Sequence, residues 1–564
     1  LAIPSTLQDS LMARLDRLST VREIVQLGAT LGREFSYELL HAVFPLDEAI
    51  LQHGLRQLVE AELVYQRGVA PQVTYFFKHA LIQDAAYQSL LKSKRQQLHQ
   101  QIAQVLEERF PDTKETQSEL LAHHYTEAGL IVQAIPYWQK AGERAMQRSA
   151  NVEAVSHLTK GLELLNTLPD TPERIQQELT LQITLGAPLT ATKGYAAREV
   201  GQVYTRAREL CRQLGETPQL IPVLFGLWRF YLQRAELQTA RELGEECLSL
   251  AQQLHDPVRL LRAHNTLGVT LFYLAELQAA REHLEQGIAL YSPQQRSLAV
   301  VQDPMVACLS YMAWVLWYLG YPDQALRRSQ EALALAQELS HPYSMAQALF
   351  FAAELHHLRQ EAQVVQERAE AVITLAAEQG FPFWLAQGTS LRGWALVKQG
   401  QRREEGIAQI RQGLAVYQST GAELGRPYYL AELAEACGLV GQAEEGLRML
   451  AEALTAVCKT GEFSETEICR LTGELTLKQS RVQGLESSFQ KEAEECFQKA
   501  IEIARRQSAK SLELRAVMSL ARLWQSQGKK DEARQMLAEI HGWFTEGFDT
   551  KDLQEAKALF QELT

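Results

Sequence analysis

Two pairs of adjacent histidines, His123–His124 and His356–His357, carry the side chains best suited by type to hold a metal or move a proton near neutral pH. Both pairs lie in helical patterns, where neighbours point about 100° apart, so neither is expected to chelate. The seven cysteines include no C-x-x-C pair, and most sit in apolar helical runs such as EECLSLA around Cys247 and EECFQKA around Cys496. Structural thiols of a reduced, cytoplasmic protein are expected, not a disulfide framework. Phosphate chemistry would need a glycine-rich loop ending in Gly-Lys-Ser/Thr. The Gly528-Lys529 step stands in a turn without the upstream glycine. No G-x-S-x-G, H-E-x-x-H or H-R-D string occurs. The expectation is therefore no catalytic residue, no metal site and no cofactor within this chain.

The remaining candidates are aromatic. Tyr311, Trp314, Trp317 and Tyr318, with Phe381, Phe383 and Trp384, form the densest cluster in the sequence. Most of the eight tryptophans stand at helical spacing beside Leu and Ala, as core residues do. This cluster has a second reading, as the lining of a concave groove that takes a peptide or partner helix.

The elements that must carry these residues are helical and repeated. The chain has 564 residues, 46% hydrophobic and 22% charged, with only 33 Gly and 17 Pro. That composition favours helices over a large β-structure. AELQTARE at 235–242 returns as AELQAARE at 275–282. Related turn-to-helix segments place a small residue at Ala154, Ala197, Ala240, Ala280, Ala325, Ala362, Gly406, Gly446, Ala493 and Ala533. The period is about 42 residues, enough for two helices and two turns. One such pair cannot bury its own apolar face, so the copies must stack into a quasi-one-dimensional array over about 115–545.

The first hundred residues lack this period. Helical patterns at Thr20–Leu31, Ser36–Val43 and Leu46–Ala61 precede LVYQ and VTYFF, which flank a turn and read as a hairpin. Three helices and a hairpin are the order of a winged helix domain. Its third helix, the candidate recognition helix DEAILQHGLRQLVEAEL, has little Lys or Arg, and the chain's net charge is −12. Binding to nucleic acid is not expected. No run of 18 apolar residues suggests a membrane span. The fold class expected is mainly α: a small N-terminal winged helix domain, then a long αα-superhelix of tetratricopeptide-like repeats.

Three segments resemble a known class. IPSTLQDSLMARLDRL at 3–18 looks like the junction after the ATPase core in signal-transduction ATPases with numerous domains. FKHALIQDAAYQSLL at 77–91 looks like the segment that closes their winged helix domain, and HGWFTEGFDTKDLQEAKALFQEL at 541–563 looks like the end of their fusions to a class III adenylate/guanylate cyclase or a protein kinase. The resemblance implies an ATPase tail at 1–18, a winged helix domain at 19–91, a helical linker at 92–114, a solenoid at 115–545 and a capping helix at 546–564. It nominates His79 as a sensor of the nucleotide state, although Ala80 stands where the class has an Asp. It also implies ATP or ADP with Mg in the parent protein, an upstream ATPase in cis and a nucleotide cyclase as output. A protein or peptide partner would bind the solenoid. With no initiator Met, the chain reads as a piece of that longer protein. The alternative is a stand-alone tetratricopeptide scaffold.

Overall fold

The computed structural model describes residues 21–44, 47–68, 72–215, 218–292, 301–400, 402–483 and 486–563. The expected ATPase tail at 1–18 lies outside them. The chain forms two compact units, 1–181 and 182–564. The division falls within the 115–545 stretch read as one array, and the core of the first unit is continuous from Val21 to Ala134.

The first unit opens with helix Arg22–Leu31, strand β1 (Glu34–Ser36), helices Tyr37–Val43 and Glu48–Glu60, then strands β2 (Val64–Arg67) and β3 (Thr74–Phe77). The strands form one antiparallel sheet in the order β1-β3-β2. In β3, Tyr75 and Phe77 are buried while Thr74 and Phe76 are less so, the alternation of a one-sided sheet. Ser36 and Asp47 cap the second and third helices by accepting the N–H groups of Leu39 and Ala49. Ile24, Leu40, Leu51, Leu55 and Leu58 form the fully buried centre. Strand β1 was not expected: three residues are too few to show a period.

In the second unit, antiparallel helix pairs follow one another from Leu220–Gln233 with Leu237–Leu254 to Lys510–Ser526 with Lys530–His541. Proline at the first or second helical position starts many of these helices, where its missing N–H costs nothing. Asp256 and Asp303, just before Pro257 and Pro304, cap their helices by accepting two N–H groups each.

The second helix of each pair buries one stripe at i, i+4, i+7 and i+11. It reads Ala240, Gly244, Cys247, Ala251 in one copy and Ala325, Ser329, Ala332, Ala336 in another. Elsewhere it is Gly446, Leu450, Ala453, Val457. This stripe corrects two expected positions. Ala362 and Ala197 are only half-buried; Val365 and Val200 start the buried stripes of their helices. Small size was the wrong guide there, and burial restores the period. Where the small residues are glycines the backbones touch: a Cβ on Gly406 would lie 2.4 Å from the Gly393 carbonyl oxygen.

The array is not one-dimensional. The Gln233 carbonyl accepts the N–H groups of Glu423 and Leu424 at 2.8 and 3.0 Å. Ser511 donates to the Trp317 carbonyl at 2.6 Å, across 194 residues. The segment before the last helix (Lys551–Glu562) straps onto the turn at 320–324: Glu546 Oε1 accepts the N–H groups of Asp323 and Gln324, both at 3.0 Å. The helices therefore wind through a turn that closes on itself. The final helix covers the last pair through Leu553, Ala556 and Leu559, as a cap must. The preceding segment does more than cap, and its Phe548 is 55% exposed.

The strap sets a prediction. Gly547 has φ +76°, and a Cβ there would lie 2.0 Å from Pro322 Cγ, whereas Gly461 has φ +73° with open space around it. Gly547→Ala is expected to cost roughly 2–4 kcal/mol and Gly461→Ala only ~1 kcal/mol. Thermal or urea unfolding of the two variants checks this; equal losses would mean that the strap does not pack on the turn.

Candidate ligand-binding chamber

The first helix of each pair in the second unit is buried on nearly every face. In helix Pro304–Tyr318, every residue from Val306 to Tyr318 is buried. One side packs on neighbouring helices, and the other faces the inside of the closed turn. There the side chains are aromatic and polar instead of aliphatic. Trp314 stacks on Phe351 with ring centres 4.1 Å apart and donates its indole N–H to the Phe351 carbonyl. Together with rings from neighbouring helices they line a cavity of about 50 Å³.

Four of the six residues singled out as a partner groove line this cavity: Tyr311, Trp314, Tyr318 and Trp384, joined by Phe383. Trp317 and Phe381 do not. The Trp317 ring lies under the Arg515 guanidinium at 4.9 Å, and Phe381 packs on Tyr343 at 4.9 Å between ring centres. All six are between 1% and 7% exposed, so the aromatic lining faces an interior and not an open groove. His79, in the first unit, is exposed at the start of helix Ala80–Gln88 and makes no capping bond.

Sequence reasoning missed the charged residues of the chamber. Arg229 is 4% exposed, and its Nε and Nη1 have no hydrogen-bond partner. Its guanidinium lies over the rings of Tyr195 and Trp228 at 4.5 and 5.4 Å. Trp384, also on the cavity wall, has an unpartnered indole N–H. A signal was present: Arg229 interrupts the apolar run LIPVLFGLW-R-FYL, Glu354 interrupts LFFAA-E-LHH, and Glu432 interrupts YYLA-E-LAEA. A charge inside a helix that is apolar all round must be paired or used.

A second, larger cavity of about 200 Å³ shares Tyr318, Leu358, Tyr428 and Phe463 with the first. At this shared wall, His357 Nδ1 lies 3.1 Å from Glu354 Oε1 and 3.1 Å from Glu432 Oε1. The Tyr428 hydroxyl donates to Glu354 at 2.5 Å. Glu354 Oε2 and Glu432 Oε2 are buried without a hydrogen-bond partner. Burial, then the neighbouring Glu354 charge, pushes the Glu432 carboxyl well above the usual carboxylate range. Burial acts on Glu435 in the same direction, but the Lys398 ammonium at 2.8 Å outweighs it and holds that carboxyl at about 2. Glu354, His357 and Glu432 bring one ligand atom each within 4.8 Å of the others, a donor set that suits a cation.

The adjacent histidines diverge, as helical geometry requires. His356 bonds Glu361 while His357 faces the acids. In the other pair, His124 is buried and shares a 2.8 Å Nδ1–Nδ1 hydrogen bond with His99, which burial, with His123 and Arg95, lowers to about 4. That bond needs one Nδ1 bare, and burial holds both rings below their ordinary range, so these two histidines pack and do not titrate near pH 7. Five cysteines are buried, Cys458 is exposed, and none is paired. Among the described residues, no helix is long and apolar enough to cross a membrane.

No known family model matches the chain. A curated relative, an uncharacterized protein of Rhizobium meliloti (strain 1021), is 24% identical over 476 residues, covering 83% of this chain. The chain spans 46% of that relative's length. Among solved structures, a Rap protein complexed with competence and sporulation factor covers 69% of this chain and all of its own, at 10% identity and TM-score 0.47. The quorum sensor NprR from B. thuringiensis covers 66% of this chain and 99% of its own, at 14% identity and TM-score 0.42. A signal transduction ATPase with numerous domains and a tetratricopeptide repeat sensor, from Pyrococcus horikoshii, covers 96% of this chain and 65% of its own, at 11% identity and TM-score 0.30. At such scores the fold is described by this chain's own helices: a tetratricopeptide-like superhelix with one small sheet.

Beside the chamber, Glu462 is 2% exposed; its Oε2 accepts the Gly425 N–H at 2.9 Å and its Oε1 has no partner. Burial raises this carboxyl from the ordinary 4.5 to about 7, against the lowering effect of the Gly425 bond. The folded chain thus holds a proton that the unfolded chain releases. The corresponding stability is present below pH ~4.5 and is lost as pH rises through about 7, an effect of roughly 3 kcal/mol. Glu462→Gln keeps the Gly425 bond and is expected to flatten this fall between pH 5 and 8, as urea unfolding across pH would show. An unchanged pH slope would mean that Glu462 is ionised in the fold.

Proposed function

We propose that this chain is the sensor and interaction part of a larger signalling protein, and that its helical array binds a small ligand inside the closed turn. The observation that carries the reading is the make-up of the interior. A purely structural core would be aliphatic and fully satisfied. Here Arg229, Glu354 and Glu432 are buried with unpartnered polar atoms on the walls of adjoining cavities. Leaving them so costs several kcal/mol, which a bound ligand would offset.

The finer assignment follows the resemblance to signal-transduction ATPases with numerous domains. In it, the helix–strand–helix–helix–strand–strand segment at 22–77 is a winged helix domain that reads the nucleotide state of an ATPase in cis. His79 is the candidate sensor, exposed and uncommitted to a capping bond. ATP or ADP with Mg belongs to that ATPase, and a nucleotide cyclase or kinase to the output. A relative of which this chain spans 46% leaves room for such domains. The stand-alone scaffold differs in where the partner binds, on outer helix faces with the interior idle.

Hydrogen exchange of the purified chain, with and without a cell extract filtered to small molecules and peptides, separates the two. The sensor reading predicts slowed exchange in 304–318, 342–358 and 426–439, and a stabilisation of about 2.7 kcal/mol at a ligand concentration a hundredfold above Kd. Protection confined to outer helices, and only with protein fractions, would favour the scaffold.

A further inference from the structure

Glu354 and His357 stand one turn apart on helix Pro342–Leu358 and so share a face, and Glu432 reaches the same point from helix Arg426–Leu439. Three oxygens crowd one ring nitrogen there. His357 Nδ1 lies 2.9 Å from the Tyr428 hydroxyl and 3.1 Å from Oε1 of both Glu354 and Glu432. A ring nitrogen carries at most one hydrogen, in the plane of the ring, so it can serve only one of the three. The Tyr428 hydrogen goes to Glu354 Oε1. Oε2 of Glu354 and Oε2 of Glu432 receive nothing from the protein. Lys398, Arg470 and Arg515 of the larger cavity are committed to other carboxylates: Glu435 at 2.8 Å, Glu474 at 2.6 Å and Asp552 at 2.8 Å.

The separations are those of ligands around a single ion. Atoms held about 2.0–2.2 Å from one metal ion stand about 3–3.5 Å from each other. Both distances from Nδ1 to a carboxyl oxygen are 3.1 Å, and the three donor atoms lie within 4.8 Å of one another. The donor types name the ion class. Calcium and magnesium take oxygen ligands, and copper(I) takes sulfur. One imidazole nitrogen with two carboxylates suits a divalent transition ion such as zinc, manganese or iron. Such an ion replaces the protons that otherwise hold the three groups together. Three protein donors leave at least one coordination position open. Glu354 lines the smaller cavity while His357 and Glu432 line the larger one, so that position is reached from within the chamber.

We infer that Glu354, His357 and Glu432 form a site for one divalent transition-metal ion of the zinc class, with a coordination position open to the cavities. This rests on the reading of the interior as a ligand site and deepens it: the ion is the fixed point on which a donor atom of the small ligand would sit.

The test uses the full 564-residue chain, stripped with a chelator and titrated with zinc chloride by calorimetry in excess magnesium and calcium. Cobalt(II) chloride serves as the spectroscopic probe, and thermal shift is read beside both. One zinc ion per chain is expected to bind and to raise the Tm, and cobalt to give the visible absorption of a nitrogen- and oxygen-ligated site without a thiolate charge-transfer band. Glu432→Gln and His357→Gln should each weaken zinc binding by at least about tenfold. His356→Gln, whose ring turns to Glu361 instead, should leave it unchanged. Where one of the two ligand variants does not fold, Glu354→Gln takes its place. Zinc held equally by the unaltered chain and the ligand variants, or a thiolate band with cobalt, overturns the site in favour of adventitious binding elsewhere. Displacement of zinc by magnesium or calcium overturns the ion class. No zinc binding, with Glu432→Gln as stable as the unaltered chain or more so, overturns the site in favour of a proton-sharing cluster. Hydrogen exchange with chelator-treated extract separates the two readings. Interior protection without zinc binding keeps the ligand chamber and removes the ion. Zinc binding lost in the ligand variants, without extract-derived protection, keeps the metal site and removes the small ligand.

Discussion

A row of helix pairs has an inside only if it closes. In the 182–564 unit closure rests on a few hydrogen bonds between residues far apart in sequence: Glu423 and Leu424 to the Gln233 carbonyl, Ser511 to the Trp317 carbonyl, and the Asp323 and Gln324 amides to Glu546. Each bond is worth about 1 kcal/mol net. Together they turn an open spiral into a chamber and remove water from one face of every first helix. The aromatic lining, the burial of Arg229 and the raised Glu462 carboxyl all follow from that enclosure.

Enclosure also explains why the interior is expensive. Isolated charges in a low-dielectric space lose hydration that no neighbouring atom replaces. The fold compensates some of them: Lys398 holds Glu435, and Arg470 is forked between Glu467 and Glu474. Nε and Nη1 of Arg229 and Oε2 of Glu432 are left with no hydrogen-bond partner. The contrast within one interior is the basis for reading them as ligand contacts instead of structural ion pairs.

The repeat was legible because the buried stripe recurs every forty-odd residues, and stripes show in a single sequence. Its register slipped at Ala362 and Ala197, where the buried position holds a valine and a small residue stands three positions earlier. Strand β1 was illegible because three residues carry no period. Four of the six groove residues line the chamber, since aromatic clustering is local; Trp317 and Phe381 point elsewhere on the same helices or turns. Closure itself left no local trace, because it joins residues up to 224 apart. Arg229, Glu354 and Glu432 were visible as charges in apolar helices, but their meeting in one interior was not.

Native-state hydrogen exchange of the amides of Asp323, Gln324, Glu423 and Leu424 tests closure most directly, since each donates to an acceptor far along the chain. A closed turn predicts slow exchange at all four, approaching that of the helical core, with Glu546→Ala releasing 323 and 324 but not 423 and 424. Exchange at the rate of free turns in the unaltered protein would mean that the array is open in solution and encloses no chamber.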